Sequence, residues 1–392
     1  MKLEDRLGAH FADVTEEMTS PPARLEAVVS AGSSQGFLGR ILLAAAIGAV
    51  GLIGLGLTTT TLGDGVGPNY SNSVDSDPNP NRVVVSPFVN TRSRLQDQTN
   101  VELFTVTSSE PTYWRIAGLD TYEDDIWKIV GDFVPANGEL PGQIEFGGQV
   151  SEVTQTFTIK SLAAIWLPAA FNPSEIVEST EDITWNAETS SLTVTNDIEN
   201  SDDVTYTVVS RIPAFSVEQL RAAPESIPTD IADRYLNLPP DLTPQVPLLA
   251  DRVTSDFSTQ YDKMRALQDH FRAYSYNVDL EPREGDPIEQ FLNEEEGFAQ
   301  QFSGTFALMA RSLGVPARVA TGFTWGNPVA TDPATGLTTY SVTSEQTHAW
   351  PEVYFDGLGW VAFEPTPSRG LPGAANYTGV PAAQASDIQP ND

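Results

Sequence analysis

Apolar positions along this chain change period twice, and each change predicts a different kind of structure. The first pattern is an unbroken apolar run, "ILLAAAIGAVGLIGLGL" from Ile41 to Leu57, followed by neutral threonines and Leu62. Its length and neutral flanks just reach what a bilayer-spanning helix needs. Its glycines suit a membrane helix better than a soluble one. A long polar stretch precedes it, which argues against a cleaved signal peptide. Arg40 stands at its front edge with Lys2, Arg6 and Arg24 upstream, and no Lys or Arg follows until Arg82. The positive-inside rule then places the N-terminus in the cytoplasm and the rest outside.

From Arg82 to about Pro213 the period is two. "VELFTVTS", "YWRIAGLDTY", "VTQTFTIKSL", "ITWNAETSSLTVTN" and "VTYTVVSRI" are rich in β-branched and aromatic residues and bounded by turn residues, as antiparallel strands are. From Ser216 the period becomes helical. "SVEQLRAA" opens with Ser216 and carries Gln219 three residues on, a capping box. "TPQVPLLADRVTSDF" and "YDKMRALQDHFRAYSY" continue as helices. In "GFAQQFSGTFALMARSLGVPARVATGF" the stripe Phe302, Phe306, Met309 and Leu313 predicts a helix, Gly314 its left-handed stop, and Pro316 a block to resumption. "ARVATGF", "YSVTSEQTHAWPEVYF" and "GWVAFEPTP" are predicted strands, with "TWGNPVATDPATGLTT" a loop between them. The resulting divisions are a tail at 1–36, a membrane helix at 37–62, a linker at 63–81, a small all-β domain at 82–213, an α+β domain at 214–372 and a tail expected to lose order at 373–392.

Composition narrows the chemistry. A formal charge of −32 makes the chain self-repelling and excludes nucleic acid as a partner. The absence of cysteine excludes disulfides, zinc–thiolate sites and any cysteine nucleophile. No pattern predicts a metal or a cofactor. The acidic cluster "DTYEDDIW", Asp120 to Trp127, lacks the ligand spacing of a calcium loop and is expected to be a solvated turn.

Of three histidines, His10 falls in the tail expected to be cytoplasmic, and His270 falls on the packing face of a helix. That leaves His348. Strand alternation puts His348, Trp350, Glu352 and Tyr354 on one face. A general base needs a third group to orient its imidazole, and Glu364, at the end of the next strand, is the candidate. The two share a face only if the "DGLG" hairpin has an odd loop or a bulge.

The two long motifs "GFAQQFSGTFALMARSLGVPARVATGF" and "THAWPEVYFDGLGWVAFEPTP" closely resemble those of the transglutaminase-like superfamily, in particular the bacterial membrane-anchored TgpA type. The resemblance covers roughly Arg82 to Pro367. It implies an α+β fold with a papain- or transglutaminase-like core, a helix packed on an antiparallel sheet, preceded by the β domain and the membrane helix. It implies His348 as general base and Glu364 as its orienting acid, with Trp350, Trp360 and Gln301 around the cleft. Ala299 matches the nucleophilic cysteine, so the sequence departs from the family at the reacting atom. Family chemistry is acyl transfer through a thioester. Three functions follow as expectations: a pseudoenzyme binding peptide, protein or cell-envelope polymer; an acyl-transfer enzyme in which Ala299 stands for cysteine; or a structural envelope protein. The expected location is the bacterial cell membrane, single-pass, with the main domains extracytoplasmic.

Overall fold

In the computed structural model the described residues are 100–384, apart from 124–125, 143–145, 147, 196–199 and 281–283, together with the backbone of the strand Arg82–Val85. The expected membrane run, the N-terminal tail, the linker at 63–81 and residues 385–392 lie outside them. Among the described residues no helix is long and apolar enough to cross a membrane.

Four strands form the sheet that carries the candidate chemistry: β1 (Trp114–Leu119), β2 (Ala317–Phe323), β3 (Thr347–Phe355) and β4 (Gly359–Ala362). Their order is β4-β3-β2-β1, antiparallel throughout. Three helices matter to the site: α1 (Val217–Ala222), α2 (Gln260–Phe271) and α3 (Ala299–Ser312). The predicted capping box of α1 is present, with Ser216 and Gln219 each bonding the other's backbone N–H.

Helix α3 packs on β2 and β3 and is buried on every side from Ala299 to Arg311. Its predicted stripe is in the core, with Phe302, Phe306 and Met309 fully buried. The remaining faces are largely small, Ser303, Gly304, Thr305, Ala307 and Ala310, so neighbouring elements come close. A Cβ on Gly304 would lie 2.9 Å from the Trp127 indole nitrogen. The helix stops at Gly314, where φ is +77° and Val315 N–H returns to the Ala310 carbonyl.

The second large sheet has seven strands in the order Asn327–Thr331, Thr338–Thr343, Glu102–Ser108, Gln149–Ile159, Thr205–Ala214, Pro173–Ser179 and Gly138–Glu139. Both sheets therefore draw strands from either side of the division expected at 213. The stretch expected to be a loop is a hairpin, Asn327–Thr331 against Thr338–Thr343, that adds to this sheet. All five residues of its first strand are exposed, so no buried face stamped a period on the sequence. The tail expected to lose order from 373 is packed through Gln384. Tyr377 wedges against Phe215 and Phe363, Tyr261 donates to the Tyr377 carbonyl, and Gln384 pairs with both backbone groups of Gly326. A few anchors suffice in an otherwise Gly/Ala/Pro-rich segment.

Buried arginines tie the layers together. Arg311 of α3 donates to the carbonyls of Ala317, Asn237 and Asp120, and its guanidinium lies 4.9 Å from the centre of the Trp127 ring. Asp120 is itself buried and paired with Arg234, so the start of the acidic cluster is an anchor and not a solvated turn.

Where β1 meets β2 the register slips between Thr321 and Gly322, and the backbones nearly touch. A Cβ on Gly322 would sit 2.1 Å from the Trp114 carbonyl oxygen. Backbone cannot swing aside as a side chain can. Gly322→Ala is expected to destabilise the fold by about 1–3 kcal/mol, read as a lowered urea midpoint.

Candidate active site

Strand β3 delivers His348 and β4 leads into Glu364. Phe355 pairs with Gly359, so the hairpin loop is Asp356, Gly357 and Leu358, an odd count. The even-numbered positions of the two strands therefore share a face, as the parity condition requires. Pairing runs one residue past β4, with Phe363 N–H on the Pro351 carbonyl. Helix α2 and the residue capping its end hold the backbone that follows: Gln268 accepts from Glu364 N–H, and Arg272 donates to the carbonyls of Glu364, Thr366 and Arg369.

The His348 Nε2 to Glu364 Oε2 distance is 2.8 Å. Glu364 also accepts from the Tyr113 hydroxyl at 2.8 Å and from Thr366 N–H at 3.0 Å. Burial alone would raise the Glu364 carboxyl. The His348 charge and the hydrogen bonds from His348 and Tyr113 outweigh burial and hold it below the usual carboxylate range. Burial, and then the neighbouring Glu364 charge, push the Tyr113 hydroxyl well up, so it stays a neutral donor. An ionised carboxylate only accepts, so Nε2 carries the proton. In the neutral ring Nδ1 is then the basic nitrogen, and it is buried with no partner. Tyr113 meets the imidazole edge-on at 5.3 Å and Trp350 stacks on it at 5.9 Å.

Ala299 is the first residue of α3 and is fully buried. Among the described residues no side chain of α3 hydrogen-bonds His348. Gln301 turns back on its own helix, where its Oε1 accepts from Phe298 N–H at 3.2 Å and caps the N-terminus. Trp350 and Trp360 line a cavity of about 390 Å³ on the sheet face turned away from α3. Odd-numbered Phe363, by contrast, stacks on Phe306 of α3.

Sequence reasoning missed a second buried cluster on that face. Glu352 accepts from Arg115 Nε at 2.9 Å and Arg318 Nε at 2.6 Å, and all three side chains are essentially unexposed. Arg115 also donates to the Thr189 and Ser190 carbonyls and Arg318 to that of Glu188, which clamps the hairpin turn of Ile183–Asn186 and Ser191–Val194 over the sheet. Burial would raise Glu352, but the two guanidiniums hold it below its ordinary range. A lone acid inside an apolar strand was the available signal. Tyr113 offered none, being 251 residues from its partner Glu364.

Comparison with known proteins is consistent with this architecture. Residues 247–365 match the transglutaminase-like superfamily core, and residues 10–216, more than half of the chain, match the TgpA N-terminal domain. An uncharacterised protein of Bacillus subtilis, YebA, is 29% identical over 301 residues, 72% of this chain and 40% of that protein. The protein-glutamine gamma-glutamyltransferase of Pseudomonas aeruginosa is 29% identical over 139 residues, 34% of this chain and 20% of that enzyme. Each match spans less than half of the relative's length. The crystal structure of the periplasmic domain of Pseudomonas aeruginosa TgpA superposes with a TM-score of 0.53 at 18% identity, covering 72% of this chain and 95% of that domain. The chain belongs to the TgpA-type family of transglutaminase-like proteins.

Proposed function

We propose that this chain is a membrane-anchored, extracytoplasmic member of its family that binds peptide or cell-envelope polymer and performs no acyl transfer itself. The observation that carries this reading is His348. Its Nε2 is fixed by an ionised Glu364, its Nδ1 is buried without a hydrogen-bond partner, and position 299 holds a methyl group. In the family chemistry the base takes a proton from a thiol, the thiolate attacks an amide carbonyl, and an amine or water later resolves the thioester. Amides at the start of α3 would hold the oxyanion. Every part except the attacking atom has a counterpart here. Placement outside the cytoplasm rests on the charge pattern around Ile41–Leu57 and on the likeness to a periplasmic domain.

A second reading, an acyl-transfer enzyme in which Ala299 occupies the place of a cysteine, is favoured by the intact His348–Glu364 pair. One assay separates the two. The chain is incubated with a fluorescent primary amine and a glutamine-bearing protein, and covalent incorporation is followed. No incorporation above a His348→Ala control is expected. Turnover by the unaltered chain that disappears in His348→Ala would overturn the non-catalytic reading.

A further inference from the structure

The 390 Å³ cavity is absorbed by nothing above. Its walls are Tyr113, Phe171, Phe215, Trp350, Trp360 and Tyr377. All but Tyr377 come from the two family-matched segments, and junctions of this kind are common ligand sites. Its mouth is open at the exposed residues Glu110 and Ala214. Even-numbered Trp350, Glu352, Trp360 and Ala362 of β3 and β4 line it, so it lies on the opposite face of the sheet from α3. The Trp360 ring is a fixed platform, with the Arg318 guanidinium 4.2 Å from its centre and Tyr235 and Tyr354 packed edge-on against it.

The chemistry of the lining selects a ligand. Arg115 and Glu352 form the floor, yet most of the Arg115 donors and of the Glu352 acceptor sites are already taken up by each other, by Arg318 and by backbone carbonyls. The charged pair therefore offers a ligand little. Among the described residues the indole N–H groups of Trp350 and Trp360 have no acceptor. Indole only donates, and a carbonyl only accepts. Aromatic walls with a few stray donors suit an apolar side chain carried on a peptide backbone. A sugar ring would bring several hydroxyl donors to a floor whose carboxylate is filled, at a cost of about 1–3 kcal/mol for each one left unpaired. Glu110 at the mouth and the net charge of −32 disfavour acidic ligands.

We propose that this cavity binds an extended neutral-to-basic peptide segment, seating one bulky apolar side chain between the tryptophans with backbone carbonyls on the indole N–H groups. It deepens the peptide-binding reading by naming a site distinct from position 299, and it stands whether or not that position can be made to react.

The test titrates the full chain with the blocked peptide acetyl-Ala-Phe-Arg-Ala-amide, following tryptophan fluorescence and the His348 imidazole resonance. His348 reports occupancy because Tyr113 and Trp350 touch both ring and cavity. Saturable binding is expected, several-fold weaker for the same peptide with Glu in place of Arg. Ala214→Trp, which fills the mouth from an exposed position, is expected to weaken it at least about tenfold, or 1.4 kcal/mol, with an unchanged melting temperature. Equal binding to Ala214→Trp, no binding at all, or saturation by chitotetraose in place of the peptide would each overturn the proposal.

Discussion

Ala299→Cys is expected to produce a thiol with a depressed pKa and, on the non-catalytic reading proposed above, to install amine incorporation. The chain has no other cysteine, so thiolate absorbance near 240 nm reports this one atom and needs no reagent to enter a buried site. Two effects lower the pKa. A sulfur at the first residue of α3 sits at the positive end of the helix dipole, and a protonated imidazole brought within its reach would stabilise its anion. The nitrogen available to take the thiol proton is Nδ1 of His348, because Nε2 is committed to Glu364. A pKa clearly below the free value of about 8.5, abolished in Ala299→Cys/His348→Ala, shows that ring and position 299 work as a unit. Loss of a nucleophile elsewhere costs about a million-fold in turnover, which bounds the gain on supplying one. A thiol that titrates like free cysteine would sink the idea of a poised frame.

Glu352→Gln is expected to cost about 3–5 kcal/mol, the range for breaking a buried ion pair from one side. Two guanidiniums would be left buried with no anion, and Arg318 Nη2 already lacks a partner. Replacing the whole cluster by Arg115→Met, Glu352→Leu and Arg318→Met together removes the charges and is expected to recover much of that loss. The pH dependence has a definite sign. The Glu352 carboxyl is lowered from 4.5 in the folded chain. Its contribution is therefore complete above about pH 4.5 and is lost as pH falls through the lower folded value. Melting temperatures should drop below that pH in the parent chain, and the drop should be shallower in Glu352→Gln. Equal slopes would show that other carboxylates, Glu364 among them, govern acid unfolding.

Much of this site is legible from local rules. Helix α3 is specified by a stripe, a glycine and a proline within one stretch. The sequence allowed the Glu364 pairing on condition of an odd hairpin loop or a bulge, and the structure has the odd loop. What local rules cannot show is contact across distance. Tyr113 reaches Glu364 from a strand far away in the chain. Arg115, Arg318 and Glu352 each look unremarkable until three strands set them on one face. The strand Asn327–Thr331 carried no alternation because neither of its faces is buried. The packed tail carried none because Tyr377 and Gln384 act as single anchors. The Gln301 role was legible in principle, since a glutamine at the third helical position is a recurrent N-terminal cap.

The interleaving of strands across residue 213 has a consequence for how the protein is made. Strand β1 forms a ladder with β2, and Glu102–Ser108 forms one with Thr338–Thr343. Neither sheet can close its hydrogen-bonded edges until more than two hundred further residues have emerged. Such non-local pairing is slow, and unpaired edges invite association between chains. The emerging N-terminal half is thus a client in need of protection, and its maturation waits on the arrival of the segment that bears His348.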